Sequence, residues 1–265
     1  MSTVFFTGNT LRHRIEPGDA LATKIIHSLD HWNATHNGLN EKGLCQADTN
    51  IKVIPPLSFY GKECPTSSDI TAKLFLPPNV TPQHAAKAAE QALNLYYNHV
   101  FPGCAIKWFI ISLEGLVFSD DHIQGVVPPT NEEIAAIWKA VTDVGDERGS
   151  LIDEYGIAEL SPERLKQLLA RSGDIKPSVD HINASDCCAL PPGLLALSKE
   201  KGIKLVAHHD PEEMLPDTDL ERVLDKVGSK GGQWDWILRL TCIVKDRQVL
   251  CGNEYLVHVT YDEDE

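Results

Sequence analysis

The densest concentration of chemically capable side chains in the 265 residues is His208-His209-Asp210. Two imidazoles beside a carboxylate offer a metal site or an acid–base pair. A plainer reading makes Asp210 the cap of a helix opening at Pro211, with one histidine turned to solvent. Adjacent strand residues point to opposite faces, so both imidazoles cannot serve one pocket from a regular strand. No metal is therefore expected. Lys73 is the second candidate, because it interrupts the apolar run Ile70-Thr71-Ala72-Lys73-Leu74-Phe75-Leu76. A lysine there is costly unless paired or set at a pocket. It is either a site residue with a lowered pKa or a side chain reaching past the strand end to water. Cys187-Cys188 is a vicinal pair, readable as two ordinary thiols or as a redox or partner contact.

The other cysteines are Cys45, Cys64, Cys104, Cys242 and Cys251, making seven in all. Their spacing is irregular, with no C-x-x-C and no zinc pattern. They read as reduced thiols that pack as small hydrophobes. The charge balance of 24 Lys+Arg against 38 Asp+Glu gives −14. That argues against a phosphate-backbone binder and against docking on an anionic membrane. The N-terminus shows no basic region followed by an apolar run, and no stretch reaches the roughly 18 apolar residues of a spanning helix. A cytoplasmic protein is expected.

Elements that alternate down the chain must position these groups. Strands are expected at Val4–Phe6, Ile51–Ile54, Ile70–Leu76, Ile106–Leu113, Leu151–Ile157, Val179–Asn183, Ile203–Ala207 and Trp236–Val244, with Val249–Thr260 returning as a hairpin partner. Between them run helical patterns. Leu21, Ile25, Leu29 and Trp32 form one stripe, and Ile134, Ile137, Trp138 and Val141 another. Thr81-Pro82 and Ser161-Pro162 open helices by hydroxyl cap and first-turn proline. Asn131 is expected to cap the helix through Val141. Pro191 to Lys201 ends at Gly202, a natural helix stop.

Eight strands alternating mostly with helices imply parallel sheet with crossover helices. A (β/α)8 TIM barrel of about 250 residues fits the length. It would be thinned at its second unit and after its eighth strand. An open doubly wound sheet is the alternative, but no G-x-G-x-x-G follows the first strand. Residues 1–261 are expected to form one domain, with Asp262-Glu263-Asp264-Glu265 as an acidic tail. Barrel sites lie at the carboxyl ends of strands. That places Lys73 in the third strand, Ser112 in the fourth, Glu159 after the fifth, Asn183 and Ser185 after the sixth, and His208, His209 and Asp210 after the seventh.

The segments Tyr155-Gly156-Ile157-Ala158-Glu159-Leu160 and Ile175 through Asn183 to Pro211 resemble the fifth to seventh strand units of aldo-keto reductases. Asn183-Ala184-Ser185-Asp186-Cys187-Cys188-Ala189-Leu190-Pro191-Pro192 is similar to one branch, the regulatory (modifier) subunits of glutamate–cysteine ligase. Ala72-Lys73-Leu74-Phe75, His209-Asp210-Pro211-Glu212-Glu213-Met214-Leu215 and Trp236-Ile237-Leu238-Arg239-Leu240 carry the same resemblance. It implies an aldo-keto reductase-like protein without reductase activity of its own. Such a subunit would bind the ligase catalytic subunit as a heterodimer and raise its output in glutathione biosynthesis, with better glutamate affinity and weaker feedback inhibition by glutathione. Partner contacts are expected at Asn183, Ser185, Cys187, Cys188, His209 and Asp210, by analogy.

The resemblance also tests the reductase site. Those enzymes use an Asp, a Tyr, a Lys and a His. Lys73 matches the lysine, whereas Ser112 stands where the histidine lies and cannot replace an imidazole. Tyr60 lies too close to the Ile70 strand to leave room for a helix, and Pro55 occupies the aspartate position. Lys245-Asp246-Arg247 leads into a β return rather than a phosphate-gripping helix, so no cofactor is expected. The alternative is a diverged NADPH-dependent reductase built on Lys73 with Tyr60 or His181 as proton donor.

Overall fold

Hydroxyls and prolines start the helices much as their types dictate. Ser161 accepts from the Arg164 amide ahead of Pro162, and the Thr81 hydroxyl accepts from the His84 amide. The helix through Val141 is capped by Thr130 rather than by the expected Asn131. Thr130 and Glu133 form a reciprocal capping box, each side chain bonded to the other's amide.

The computed structural model describes residues 2–12, 19–36, 44–45, 51–55, 68–118, 127–183 and 192–261. In chain order the first strands and helix are β1 (Ser2–Phe6), α1 (Leu21–His36), β2 (Leu44–Cys45), β3 (Ile51–Ile54) and β4 (Ser68–Leu76). Next come α2 (Pro82–Leu95), β5 (Ile106–Leu113), α3 (Asn131–Asp146), β6 (Ile152–Ala158), α4 (Pro162–Arg171) and β7 (Val179–Asn183). The last are α5 (Pro192–Lys201), β8 (Lys204–His208), α6 (Asp217–Lys226), β9 (Gln233–Val244) and β10 (Val249–Thr260). The final helix begins at Asp217, not at Pro211 as expected, so Asp210 is not a helix cap.

These elements belong to two units. One comprises Met1–Asp69, Asn94–Gly103 and Glu213–Glu265, the other Ile70–Leu93 and Cys104–Glu212. In the first, β1 lies between β3, which is parallel to it, and β10, which is antiparallel. β10 returns antiparallel along β9 after a turn at 245–248. Val4, Phe5, Leu29, Trp236, Leu238 and Val257 are buried here. In the second unit β4, β5, β6, β7 and β8 pair in that order, all parallel. Their apolar faces read as near-continuous runs, as sheet covered on both sides requires. Gly156 of β6 is pinched between neighbours. A Cβ there would stand 3.1 Å from the Val179 carbonyl oxygen and 3.2 Å from Ile110.

The fold is mixed α/β, as expected, but the sheet is not closed into the predicted (β/α)8 barrel. The reason lies in the last two strands. A turn as short as 245–248 permits only an antiparallel return. The returning β10 then takes the place beside β1 that the strand Trp236–Val244 would have filled.

Candidate functional site

Buried and half-buried polar side chains gather at one end of the second unit's sheet. Glu159 follows β6, Asp180, His181 and Asn183 lie on β7, His208 ends β8, and Asp210 follows it. The parallel register sets Ala158 beside His181 and Asn183 beside His208, so successive carboxyl ends deliver these groups to one place. Lys73 reaches them from β4. Its Nζ donates to Asp210 Oδ2 at 2.8 Å, with both side chains almost fully buried. The ammonium also stands 4.9 Å from the centre of the Phe75 ring. Lys73 thus neither reaches solvent nor opens on a pocket alone, because a carboxylate neutralises it inside the protein.

His208 continues this chain of charges. Its Nδ1 accepts from the Asp210 amide at 3.1 Å and lies 3.2 Å from Asp210 Oδ2. Nε2 lies 2.6 Å from Glu159 Oε1, although neither atom has the alignment of a hydrogen bond. The His181 ring packs edge-on against His208, with centroids 4.5 Å apart. Asn183 Nδ2 donates to the Asp210 carbonyl at 3.2 Å and ties the segment after β8 to β7. His209 is exposed, so the two histidines point opposite ways as strand alternation requires.

Glu159 and Asp180 place two carboxyl groups in this buried setting. Glu159 sits at φ +62°, a left-handed conformation that costs a non-glycine residue of order 1 kcal/mol. Its amide donates to the His181 carbonyl, and its Oε2 accepts from the Phe118 amide at 3.4 Å. Asp180 is fully buried. Its Oδ1 is the acceptor of a long bond from the Leu160 amide, and its Oδ2 has no hydrogen-bond partner. Burial pushes its carboxyl well above the usual range, and the Glu159 charge adds to this, while the Leu160 amide and Lys73 oppose it. The Asp180 carboxyl therefore holds its proton more tightly than a solvated one.

Ser112 is buried on β5 beside Phe75, two residues beyond the Ile110 that pairs with Lys73. Among the described residues no hydrogen bond joins it to Lys73 or Asp210. The unit's one tyrosine, Tyr155, packs edge-on against Phe109 and Trp138. Burial, with Asp146 nearby, pushes its hydroxyl up to about 12. Ser185, Cys187, Cys188 and Tyr60 lie outside the described residues. Cys104 is disulfide-bonded, which corrects the expectation of reduced thiols there, while Cys242 and Cys251 are free. Sequence reasoning left Asp180 unremarked. The signal was present, since an acid inside Val179-Asp180-His181-Ile182 is as anomalous as Lys73 in its own strand.

No family model matches the chain. The human protein named glutamate–cysteine ligase regulatory subunit is 23% identical over 192 residues, 71% of this chain and 65% of that one. A fission yeast protein, named putative glutamate–cysteine ligase regulatory subunit, is 24% identical and covers 98% of this chain and 97% of its own. The chain resembles glutamate–cysteine ligase regulatory subunits. Its match with the mammalian relatives spans just under two thirds of their length. Among solved structures, an aldose reductase from Schistosoma japonicum covers 70% of this chain and 52% of that one, at 16% identity and a TM-score of 0.36. No described helix is long and apolar enough to cross a membrane.

Proposed function

We propose that this chain is a non-catalytic regulatory subunit. It binds the catalytic subunit of glutamate–cysteine ligase as a heterodimer in the cytoplasm and raises its activity in glutathione biosynthesis. It does so by improving glutamate affinity and weakening feedback inhibition by glutathione. The observation that carries the non-catalytic part is Ser112, buried on β5 where the resemblance places an imidazole, with no ring nitrogen to offer a carbonyl. The second unit's one tyrosine, Tyr155, is packed against Phe109 and Trp138 and stands in for no proton donor there. The relatives' names support the ligase part. The exposed His209 and the segment Ser185 to Cys188 are the proposed contact region. Asn183, which precedes that segment, donates to the carbonyl of the buried Asp210, which follows His209.

A regulatory effect of this kind is a coupling free energy of order 1–3 kcal/mol, enough for about 5- to 150-fold in affinity. The test is to mix the purified chain with the ligase catalytic subunit. Co-elution in gel filtration and a lowered glutamate KM are expected. Separate elution with unchanged ligase kinetics overturns the proposal. NADPH fluorescence titration with an aldehyde panel checks the other half, and turnover there would restore a reductase.

A further inference from the structure

At the carboxyl ends of β4 and β5, beside the start of α3, lies a cavity of about 220 Å³ separate from the buried charge chain. Its floor includes Leu113 and Ile137, and the strongly exposed Val127 stands at it. Four prolines line it, Pro77, Pro78, Pro128 and Pro129. Proline contributes a carbonyl acceptor and no N–H, so these walls accept hydrogen bonds without donating them.

The start of a helix ordinarily offers free N–H groups to an anion. Here the capping box consumes the two that belong to lining residues, those of Thr130 and Glu133. The Glu133 amide donates to the Thr130 hydroxyl, and the Thr130 amide and hydroxyl both donate to the Glu133 carboxylate. Those bonds hold the Glu133 carboxyl below the usual range, so it is charged at neutral pH. Glu114 supplies a second carboxylate to the lining, which among the described residues contains no lysine, arginine or histidine. Arg164 reaches the Pro129 carbonyl from α4 at 2.6 Å, yet is not part of the lining. The cavity is therefore small, apolar at its base, rich in acceptors and negative at its edge. It is below the size of usual small-molecule sites and suits one long side chain with an aliphatic stem and a cationic head.

We infer that this cavity is a socket for a lysine or arginine side chain of the protein partner. This rests on the proposed ligase partnership for the partner's identity, and on the cavity's chemistry for the ligand class. The chain's net charge of −14 favours a basic partner surface in the same direction.

Two measurements test it. The first is methyl NMR of the full chain titrated with n-butylammonium and, separately, 1-butanol. Saturable shifts at Val80, Leu113, Val127 and Ile137 with the amine, weaker with the alcohol and lost in Glu114→Gln/Glu133→Gln, are expected. Equal response to both compounds, or none, overturns the socket. The second is the affinity of the same double variant for the ligase catalytic subunit, expected to fall about five- to tenfold with a weaker salt dependence. Glutamine keeps an acceptor for the Thr130 cap. Val127→Lys, which sets the chain's own ammonium at the cavity from an exposed position, is expected to weaken binding similarly. Unchanged affinity in both variants overturns the socket while leaving the ligase partnership standing. A wild-type chain that fails to bind the catalytic subunit overturns the partnership instead, and the amine titration then decides the socket alone.

Discussion

Lys73 Nζ and Asp210 Oδ2 are 2.8 Å apart in the interior, joined across 137 positions of sequence. The pair anchors the segment after β8 to β4, and Asn183 secures the same segment through the Asp210 carbonyl. Removing one member takes the close counter-charge from the other in a buried site. Lys73→Met and Asp210→Asn are each expected to cost about 3–5 kcal/mol. The double variant should lose clearly less than the sum, because it removes both buried charges together. Urea unfolding of the three variants measures this, and simple additivity would show that the two groups are not coupled.

Asp180 gives the chain a pH dependence opposite to that of a paired acid. Its carboxyl is raised in the folded state by burial and by Glu159. The folded protein therefore holds a proton that the unfolded chain releases near the ordinary value of 3.8. Stability from this group is complete below that value and falls as pH rises toward the folded-state pKa. Asp180→Asn keeps the shape and removes the titration. Thermal melts should show the variant gaining on the wild type as pH rises from 4 to 8, by several degrees at the upper end. A constant difference across that range would contradict the assignment.

Legibility in the sequence followed the range of the interaction. Ile106–Leu113 and Val179–Asn183 form with the expected bounds, because apolar runs between polar stops are local signals. The opposite facing of His208 and His209 was readable from strand alternation alone. The destination of Lys73 was not, since nothing near it in sequence announces Asp210. Asp210 itself looked like a helix cap because Pro211-Glu212-Glu213 imitates a helix start, while the helix begins at Asp217. Closure of the sheet failed for a related reason. Which strand neighbours β1 depends on β10, more than 240 residues away, and on a turn too short for a crossover.

Cys242 and Cys251 should differ in reactivity. Cys242 is buried on β9, and burial, with Glu254 and Cys251 nearby, pushes its thiol up to about 12. Very little thiolate then exists at neutral pH, and the thiolate is the nucleophile. Cys251 is only half-buried, its Sγ donating to the Cys242 carbonyl at 3.3 Å. Timed iodoacetamide labelling with peptide mass analysis should find Cys251 modified first and Cys242 only on unfolding. Rapid labelling of Cys242 in the folded chain would contradict its buried setting.

The capping box at the start of α3 should be worth a measurable part of that helix. Thr130→Ala removes the acceptor for the Glu133 amide and leaves that donor to water. The expected loss is about 1 kcal/mol. Thr130→Ser retains the hydroxyl and should cost only a few tenths. Glu133→Gln keeps a carbonyl acceptor for the Thr130 amide but gives up the charge, so it should fall between the two. Its cost should also lessen with acidification, because the wild-type carboxylate is held below its usual range and loses its advantage once protonated. Chemical denaturation at pH 7 and pH 3 measures all three variants. A Thr130→Ser cost equal to that of Thr130→Ala would show that packing of the threonine methyl, and not the cap, holds the start of α3.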